Sequence, residues 1–385
     1  MSERKKMILF SLFLFVINKI VILIPAVYVH REILEESTLF SSIKFLFFDN
    51  FSKWDSGWYL SIVEEGYSLK GTAFFPLYPI TIKLLSYVTN DPLMSGIIIS
   101  NICFLLLIFF FMKLVRVDYS LKETYKITLL LSFFPTSFYF SALYTESMFM
   151  LFVILFLYFL RLQKWGLASL FGMFAGGTRN TGVLLAIPFA IEYLSNHFKL
   201  KNGMKLNKRF WGILKGAYIP LFAFIYMGYL WLEFGDPFSF SAVQSEYGRG
   251  FMAPWNTLID GFQYHLQSIG KLLSGDFIYL DIYNVLELFF VTLILVTTIL
   301  SYGKIRLSFW IIILYSILIP LTAPAYENVK DYFVSISRYA LVIVPFYYAL
   351  YEVFKRRIFY ISLLTSFIIL LMVLVYFWSL NYWVA

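Results

Sequence analysis

The sequence predicts an all-α polytopic membrane protein, and three observations support this fold class. Of the 385 residues, 60% are hydrophobic and 14% are charged, and the mean hydropathy is +0.76. A soluble domain carries about 25% charged residues, so this chain has too little polar surface to cover a soluble globule. Apolar runs of about 20 residues, the length that crosses a bilayer as a helix, recur from end to end. They do not alternate with polar residues as the strands of a transmembrane barrel do.

The basic residues occur in short clusters between the apolar runs, and these clusters predict the topology. The formal net charge of +8 could suggest nucleic acid, but clusters of this kind mark the cytoplasmic loops of a helical membrane protein. We therefore expect no nucleic-acid partner, a cytoplasmic N-terminus and an external C-terminus. The clusters lie at 4–6, 113–126, 161–164, 199–209, 304–306 and 355–357.

We predict roughly eleven spans, which follow one another in a single membrane domain over 1–385. The first is longer than the apolar core of a signal peptide, so we interpret it as a retained helix. Its Asn18 and Lys19 either face the protein interior or reach the interface. The hairpins at 127–160 and 165–197 are short, which favours tilted, kinked or re-entrant segments. The predicted spans are 7–29, 94–115, 127–143, 145–160, 165–178, 181–197, 211–234, 283–300, 308–323, 338–353 and 358–380.

Two segments do not fit as spans, and we interpret residues 30–92 and 235–282 as external loops. Both are rich in aromatic residues mixed with charge. Within the first loop, "LYPITIKLLSYV" at 77–88 is typical of an amphipathic helix that lies in the membrane interface. We predict no separate soluble domain, and we find no internal repeat and no low-complexity linker.

The first external loop carries the most unusual polar residue, Asp55, which lies between Trp54 on one side and Trp58 and Tyr59 on the other. One interpretation is structural, because tryptophan and tyrosine anchor membrane interfaces and aspartate is a favoured N-cap. The functional interpretation is a carboxylate at the mouth of a cavity, which can act as a general base. Aromatic faces beside it would suit the apolar face of a sugar ring.

Four further charged residues lie near the predicted external ends of spans. Glu146 is either a solvated loop tip or a functional carboxylate at membrane depth. Arg179 either pairs with Glu146 or holds a phosphate. Asp236 belongs to a Gly-Asp-Pro turn signal. Arg338 is either an interfacial arginine or a lipid-phosphate clamp, since a guanidinium matches phosphate oxygens.

Familiar motifs of soluble enzymes are missing from the sequence. It contains no Walker loop, no GxGxxG and no HExxH, which argues against an ATP-driven pump. The three histidines are scattered without ligand spacing, so we predict no metal site in the protein itself. We expect no certain cofactor, although a divalent cation shared by a carboxylate and a phosphate stays open.

Six stretches, in order from 53 to 346, resemble the PIG-V family of membrane mannosyltransferases, which belongs to the GT-C superfamily. Each stretch alone is weak, whereas six in family order are a specific signal. The stretches are "KWDSGWYLSIVEEGY", "AFFPLYP", "SFFPTSFYFSALYTESMFML", "GGTRNTGVLLAIPFAIEYL", "YLWLEFGDPFSFSAVQ" with "APW" following, and "SISRYALVIVPF".

The resemblance implies a GT-C-type fold, a polyprenyl-phosphate or dolichyl-phosphate sugar donor, and transfer on the extracytoplasmic face with inversion at the anomeric carbon. The usual base of such enzymes is an acidic residue of the first external loop. Asp55 matches it, with Asp49 as a second candidate, and Arg338 and Arg179 would stabilise the departing phosphate. The substrate-binding candidates are Trp54, Trp58, Tyr59, Phe75, Tyr78, Tyr144, Glu146, Arg179, Asp236, Gln244 and Arg338.

The resemblance also implies mannose as the sugar and a lipid-linked or glycan acceptor, in a multi-pass protein of the cell membrane, or of the endoplasmic reticulum in a eukaryote. Two alternative interpretations assign the chain to other functional classes. A transporter or lipid flippase also uses many spans, but no internal repeat is evident here and the charges cluster at the outer interface. A non-catalytic subunit of a glycosylation complex would tolerate substitution of Asp55.

Overall fold

The structure, a computed structural model, describes residues 2–198, 212–325 and 330–384. In this part of the chain the regular secondary structure is helical, and the β-structure consists of isolated bridges. The predicted cytoplasmic loop at 199–209 lies outside the described residues. Five described helices are long and apolar enough to cross a membrane, which confirms a multi-pass helical protein. They are Glu3–Val29, Pro92–Val115, Leu214–Phe234, Tyr279–Leu300 and Arg357–Ser379.

The N-terminal part contains two long helices separated by four short ones. The long helices coincide with the predicted spans at 7–29 and 94–115, and the short ones occupy the predicted first external loop. A helix also covers the predicted interfacial segment at 77–88. The helices are α1 (Glu3–Val29), α2 (Arg31–Glu36), α3 (Leu39–Phe47), α4 (Ser56–Glu65), α5 (Leu77–Thr89) and α6 (Pro92–Val115).

The middle of the chain is more interrupted than we predicted. The expected span at 127–143 is wrong as a single helix, because α7 ends at Ser132 and the chain continues through a 3₁₀ turn at Ser137–Phe140. Pro135 lies in this break, and the residue before a proline disfavours helical geometry. The helices are α7 (Leu121–Ser132), α8 (Glu146–Arg161), α9 (Trp165–Thr178), α10 (Ala186–Phe198), α11 (Leu221–Phe234), α12 (Ser239–Ala242) and α13 (Pro254–Ser274).

The expected span at 338–353 is likewise wrong as one helix. It consists of a short helix that ends at Leu341 and a second that starts at Val344. Pro345 occupies the first turn of the second helix, where its missing N–H removes no helical hydrogen bond. The helices of this part are α14 (Tyr279–Leu300), α15 (Leu307–Leu321), α16 (Ile336–Leu341), α17 (Val344–Phe354) and α18 (Arg357–Ser379).

The irregular segment 133–145, between α7 and α8, is buried along its whole length. Non-helical backbone at membrane depth is tolerated where protein rather than lipid surrounds it and where its polar groups find partners. Asn18 of α1 donates from Nδ2 to the Ser132 carbonyl at 2.7 Å, and the Leu143 amide donates to the Phe51 carbonyl at 3.0 Å. Lys19 contacts the side chain of Ser141. The two polar residues of the first span therefore face the protein interior.

The helices around this segment form the core. α8 packs against α6 and α9, and α1 packs along α18 and α6. α14 contacts α13 and α16. The start of α6 is fixed by Asp91, whose carboxylate accepts a hydrogen bond from the Met94 amide at 3.0 Å. This framework holds the ends of α4, α8, α9 and α16 close together, and these ends carry the charged residues described next.

Candidate active site

Asp55 precedes the first residue of α4, but its side chain does not cap that helix. Its Oδ2 instead accepts a hydrogen bond from Nη1 of Arg338 at 2.8 Å. The Asp55 amide donates to the hydroxyl of Tyr144 at 3.2 Å, and the same hydroxyl donates to the Lys53 carbonyl at 3.0 Å. The N-cap interpretation of Asp55 is therefore wrong, because the carboxylate points toward a guanidinium from another part of the chain.

Glu146 at the start of α8 links two arginines. Its Oε1 accepts from Nε of Arg338 at 2.6 Å and from Nη1 of Arg179 at 2.8 Å. The Glu146 side chain is 0% exposed, so the solvated-loop-tip interpretation is wrong. Removing one partner of such a buried pair leaves an uncompensated charge, at a cost of about 3–5 kcal/mol. Asp55, Arg338, Glu146 and Arg179 thus form one continuous charge network.

Two tyrosines support Arg338 from the segment before α8. The Arg338 guanidinium lies over the ring of Tyr144, 4.7 Å from its centroid, and 5.3 Å from that of Tyr139. Such cation–π contacts orient a guanidinium and contribute more when desolvated. Tyr144 itself is fully buried and does not line the cavity described below. Its contacts position Arg338 and the Lys53–Asp55 backbone.

A cavity of about 600 Å³ opens beside this network. Its charged lining consists of Asp55, Arg179, Arg249 and Arg338. Aromatic and apolar residues complete it, and most of the apolar ones come from α8, α15 and the α16–α17 junction. The cavity therefore combines a charged end with an apolar wall, the composition expected of a site for an amphipathic ligand. The apolar wall includes Phe149, Val153, Ile312, Ile319, Val342 and Ile343.

The structure brings six of the predicted site residues to the cavity: Asp55, Tyr59, Phe75, Arg179, Gln244 and Arg338. The others do not line it. Trp58 stacks on Phe74 with ring centroids 6.0 Å apart, and Tyr78 is fully buried, with its hydroxyl 2.8 Å from that of Ser100.

Asp236 and Asp49 also lie outside the cavity lining. An Asp236 oxygen accepts from the Phe238 amide at 2.8 Å, which is the turn that Gly-Asp-Pro predicts. Asp49 opens the 3₁₀ turn Asp49–Phe51. Trp54 is adjacent to Asp55 and packs edge-on against Trp383.

Sequence reasoning missed several residues of the cavity, above all Arg249. Its Nη1 lies 3.4 Å from the Tyr339 hydroxyl. Among the described residues, no carboxylate lies within ion-pair distance of Arg249, whereas Arg179 and Arg338 both have one. The signal was an arginine between two glycines in "YGRG", which begins three residues after the predicted site residue Gln244. Tyr247, Tyr339 and Trp383 were also missed and line the cavity.

Buried carboxylates of a neighbouring helix and loop hold the segment that carries Arg338. Glu287 of α14 accepts from the Ser337 hydroxyl at 2.5 Å and from its amide at 2.9 Å. The Tyr283 hydroxyl donates to Asp331 at 3.1 Å and accepts from the Ser335 amide at 3.2 Å. Burial raises the pKa of Asp331 to about 6. These contacts fix the backbone immediately before Arg338.

The described residues contain no cluster of three or more histidine, cysteine, aspartate or glutamate side chains that could hold a metal ion. Asp55 is the one carboxylate among the described residues that line the cavity. The charged end of the cavity is instead dominated by guanidinium groups, which suit a phosphate or another anion.

Comparison with known proteins identifies the family. The family model described as Mannosyltransferase (PIG-V) matches residues 5–256, well over half of the chain. This range contains Asp55, Glu146, Arg179 and Arg249, while Arg338 lies beyond it. No curated protein matches the chain. The matched family also favours an enzyme over the transporter or flippase alternative. The chain therefore belongs to the PIG-V family of mannosyltransferases, which are membrane glycosyltransferases.

Proposed function

We propose that the chain transfers a mannosyl group from a polyprenyl-phosphate donor to a hydroxyl of a lipid-linked or glycan acceptor. The observation that carries this proposal is the presence of Asp55 and three arginines around one cavity with an apolar wall. The arginines provide charge for a phosphate, and the wall accommodates the start of a lipid chain. The family supplies the reaction class.

Asp55 acts as the general base in this proposal. One carboxylate oxygen, Oδ2, is held by Arg338, which leaves Oδ1 to accept the proton of the acceptor hydroxyl. As that O–H bond breaks, the acceptor oxygen bonds to the anomeric carbon of mannose from the face opposite the phosphate. The bond from the anomeric carbon to the phosphate oxygen breaks, and its electron pair leaves with the phosphate. The result is inversion at the anomeric carbon.

The arginines stabilise the negative charge that develops on the leaving phosphate. Preorganised donors contribute most in a site that excludes water. Arg338 and Arg179 share Glu146, so part of their charge is already compensated. Arg249, which has no carboxylate partner in the described chain, supplies the less compensated charge. We therefore assign the phosphate to Arg249 together with Arg179 and Arg338.

We further propose a GT-C-type fold in one membrane domain over 1–385, with roughly eleven membrane segments and a cytoplasmic N-terminus. The basic clusters support this topology, and it places Asp55 on the extracytoplasmic face of the cell membrane, or of the endoplasmic reticulum in a eukaryote. The breaks in the predicted spans at 127–143 and 338–353 fit segments that enter the membrane without crossing it as one helix.

The test is mannosyl transfer by the full chain in lipid nanodiscs, with polyprenyl-phosphate mannose as donor and octyl α-mannoside as acceptor. Asp55→Asn keeps the size of the side chain but cannot accept the proton, so turnover should fall by about 10²–10⁴-fold. Asp49→Asn is the matched control on the same loop and should remain near normal. Near-normal turnover of Asp55→Asn would refute the assignment, and loss of turnover in Asp49→Asn would move the base there.

A further inference from the structure

The last residues of the chain return to the mouth of the cavity. After α18 ends, the Tyr382 amide donates to the Phe377 carbonyl at 3.0 Å. The Tyr279 hydroxyl donates to the Trp383 carbonyl at 2.6 Å, and the rings of Tyr279 and Tyr382 lie 4.2 Å apart. These contacts hold the C-terminal segment so that Trp383 lines the cavity that Asp55 also lines.

Trp383 and Trp54 form an aromatic corner beside Asp55. Their ring centroids are 5.5 Å apart and their planes meet at 87°. Trp54 does not itself line the cavity, but it is 46% exposed, so part of its indole surface is open to a ligand held by Trp383.

The backbone at Trp54 is strained, which supports a functional role for this corner. Its φ of +54° lies in the left-handed region, where a bulky residue is an outlier. Such strain persists only where the surroundings enforce it, and it concentrates at functional sites. Here the neighbouring Lys53 donates to the carbonyls of Trp378 and Ser379 at 2.8 and 3.1 Å. The end of α18 thus holds the strained turn in place.

We propose that Trp54 and Trp383 form the acceptor subsite, and that the acceptor presents a sugar ring to Asp55. This inference rests on the proposed role of Asp55 as base. The acceptor hydroxyl must reach Asp55, and the arginines and the apolar wall are assigned to the donor phosphate and lipid. The aromatic corner remains for the acceptor. The apolar C–H face of a pyranose packs on an indole, whereas a serine or threonine hydroxyl of a protein acceptor offers no such face.

The two tryptophans of the corner come from distant parts of the chain. The family match ends at residue 256, and Trp383 belongs to the part of the chain beyond it. Trp54 lies within the match and next to the base. The subsite therefore combines a residue next to the proposed base with one from the C-terminal segment.

The experiment measures acceptor and donor parameters separately in nanodiscs, with octyl α-mannoside and polyprenyl-phosphate mannose. Trp383→Ala should raise the KM for octyl α-mannoside by about three- to tenfold, the scale of one aromatic contact, and leave the donor KM unchanged. Trp383→Phe should restore most of the loss. The control is Trp255→Ala, since Trp255 is 66% exposed on α13 and does not line the cavity.

Trp54→Gly is a second variant, and it removes the indole without a backbone penalty, because glycine adopts a positive φ without strain. It should raise the acceptor KM as Trp383→Ala does while the midpoint of thermal unfolding stays unchanged or rises. An equal rise in donor and acceptor KM, or no rise in either variant, would overturn the acceptor subsite.

Binding of methyl α-mannoside, followed by saturation-transfer NMR, separates this inference from the proposed function. Asp55→Asn should still bind the sugar, and Trp383→Ala should bind it more weakly. Unchanged binding in Trp383→Ala refutes the subsite even where mannosyl transfer is established. Binding that depends on Trp383 in a wild-type protein without transferase activity supports the sugar subsite and refutes the proposed reaction.

Discussion

Arg338 and Arg249 differ in what surrounds each guanidinium, and their substitutions should differ accordingly. Arg338 contacts Asp55 and Glu146, so Arg338→Ala leaves two carboxylates with one cation fewer. We expect a loss of stability of about 3–5 kcal/mol, together with loss of turnover. Arg338→Lys should retain part of the stability because it keeps the charge, but not the two-point geometry. Thermal unfolding in nanodiscs, followed by intrinsic fluorescence, measures both variants.

Arg249→Ala should instead preserve stability and weaken donor binding. Arg249 makes one side-chain hydrogen bond among the described residues, to Tyr339, so its loss leaves no buried carboxylate unpaired. Loss of one charge-assisted contact to phosphate predicts a rise in donor KM of about tenfold or more. Steady-state kinetics at varied donor concentration provides the measurement. An unchanged donor KM would remove Arg249 from the phosphate site and leave Arg179 and Arg338 as its ligands.

We expect the stability of the folded protein to decrease with rising pH because of Asp331. Burial raises its pKa in the folded protein to about 6, above the ordinary aspartate value of 3.8, so the folded state binds this proton more tightly than the unfolded state. Stability therefore falls as pH rises from about 4 to 6, and the full penalty, up to about 3 kcal/mol, is present above that range. Asp331→Asn cannot ionise, so it should be more stable than wild type at pH 7.5.

The advantage of Asp331→Asn should shrink as the pH is lowered toward 4.5. The measurement is the midpoint of thermal unfolding of both proteins at pH 4.5, 6 and 7.5. Asp276→Asn is a suitable control, because Asp276 is exposed. The same midpoint difference at every pH would contradict the assignment of this effect to the Asp331 carboxyl.

At the scale of elements, α16 is a short helix whose position depends on α14. The helix has six residues, Ile336–Leu341, too few to be stable alone. Ser335, its N-cap, has a φ of +58°, and the Ser337 amide and hydroxyl both donate to Glu287. α14 therefore determines where α16 begins, and with it the direction of Arg338.

Glu287→Ala should lower turnover and raise the donor KM together, although Glu287 does not line the cavity. It removes both hydrogen bonds that hold Ser337, and two buried donors without partners cost about 1–3 kcal/mol each. Glu287→Gln keeps an oxygen acceptor, so it should recover most of the activity. Glu233→Ala, at an exposed glutamate of α11, serves as the control. Normal kinetics in Glu287→Ala would show that α16 holds its position without α14.

The sequence predicted charged residues of the site better than its aromatic ones. A charged side chain at the end of an apolar run is costly in a membrane and is often functional. This is why the sequence singles out Asp55, Glu146, Arg179 and Arg338. Trp383 does not stand out, since tryptophan near the end of a membrane helix is the ordinary composition of an interface. Its approach to Trp54 depends on the packing of two segments more than 300 residues apart in the chain, and no local pattern encodes that packing.

At the scale of the whole molecule, the helical membrane class follows from composition, but continuous spans were predicted where the chain is broken. The segment 133–145 is as apolar as a helix because it is buried in protein, so hydropathy does not distinguish the two. The break is possible because its polar groups find partners in α1 and in the predicted first external loop, such as Asn18 and the Phe51 carbonyl. Hydropathy indicates that a segment has apolar surroundings, but it does not determine whether its backbone is helical.

The topology itself predicts which sites a membrane-impermeant thiol reagent can reach. With Cys103 replaced, a cysteine at Gly57 should be labelled from outside intact cells, because this position is exposed on α4 and a side chain there meets no neighbour. A cysteine at Lys164, exposed between α8 and α9, should be labelled only after permeabilisation. Labelling in the reverse order would overturn both the orientation and the extracytoplasmic site.

The charge network also bears on the order in which the protein is made. Asp55 and Arg338 are separated by 283 residues, and Glu146 and Arg338 by 192. While α1 to α13 are being synthesised and inserted, Glu146 has Arg179 as a counter-ion, but Asp55 has no guanidinium partner from this network. Arg338 is synthesised only after α1 to α15, and Trp383 only after α18. A ribosome that stops before Arg338 therefore releases helices in which this charge network is incomplete, and we expect no mannosyl transfer from such a fragment.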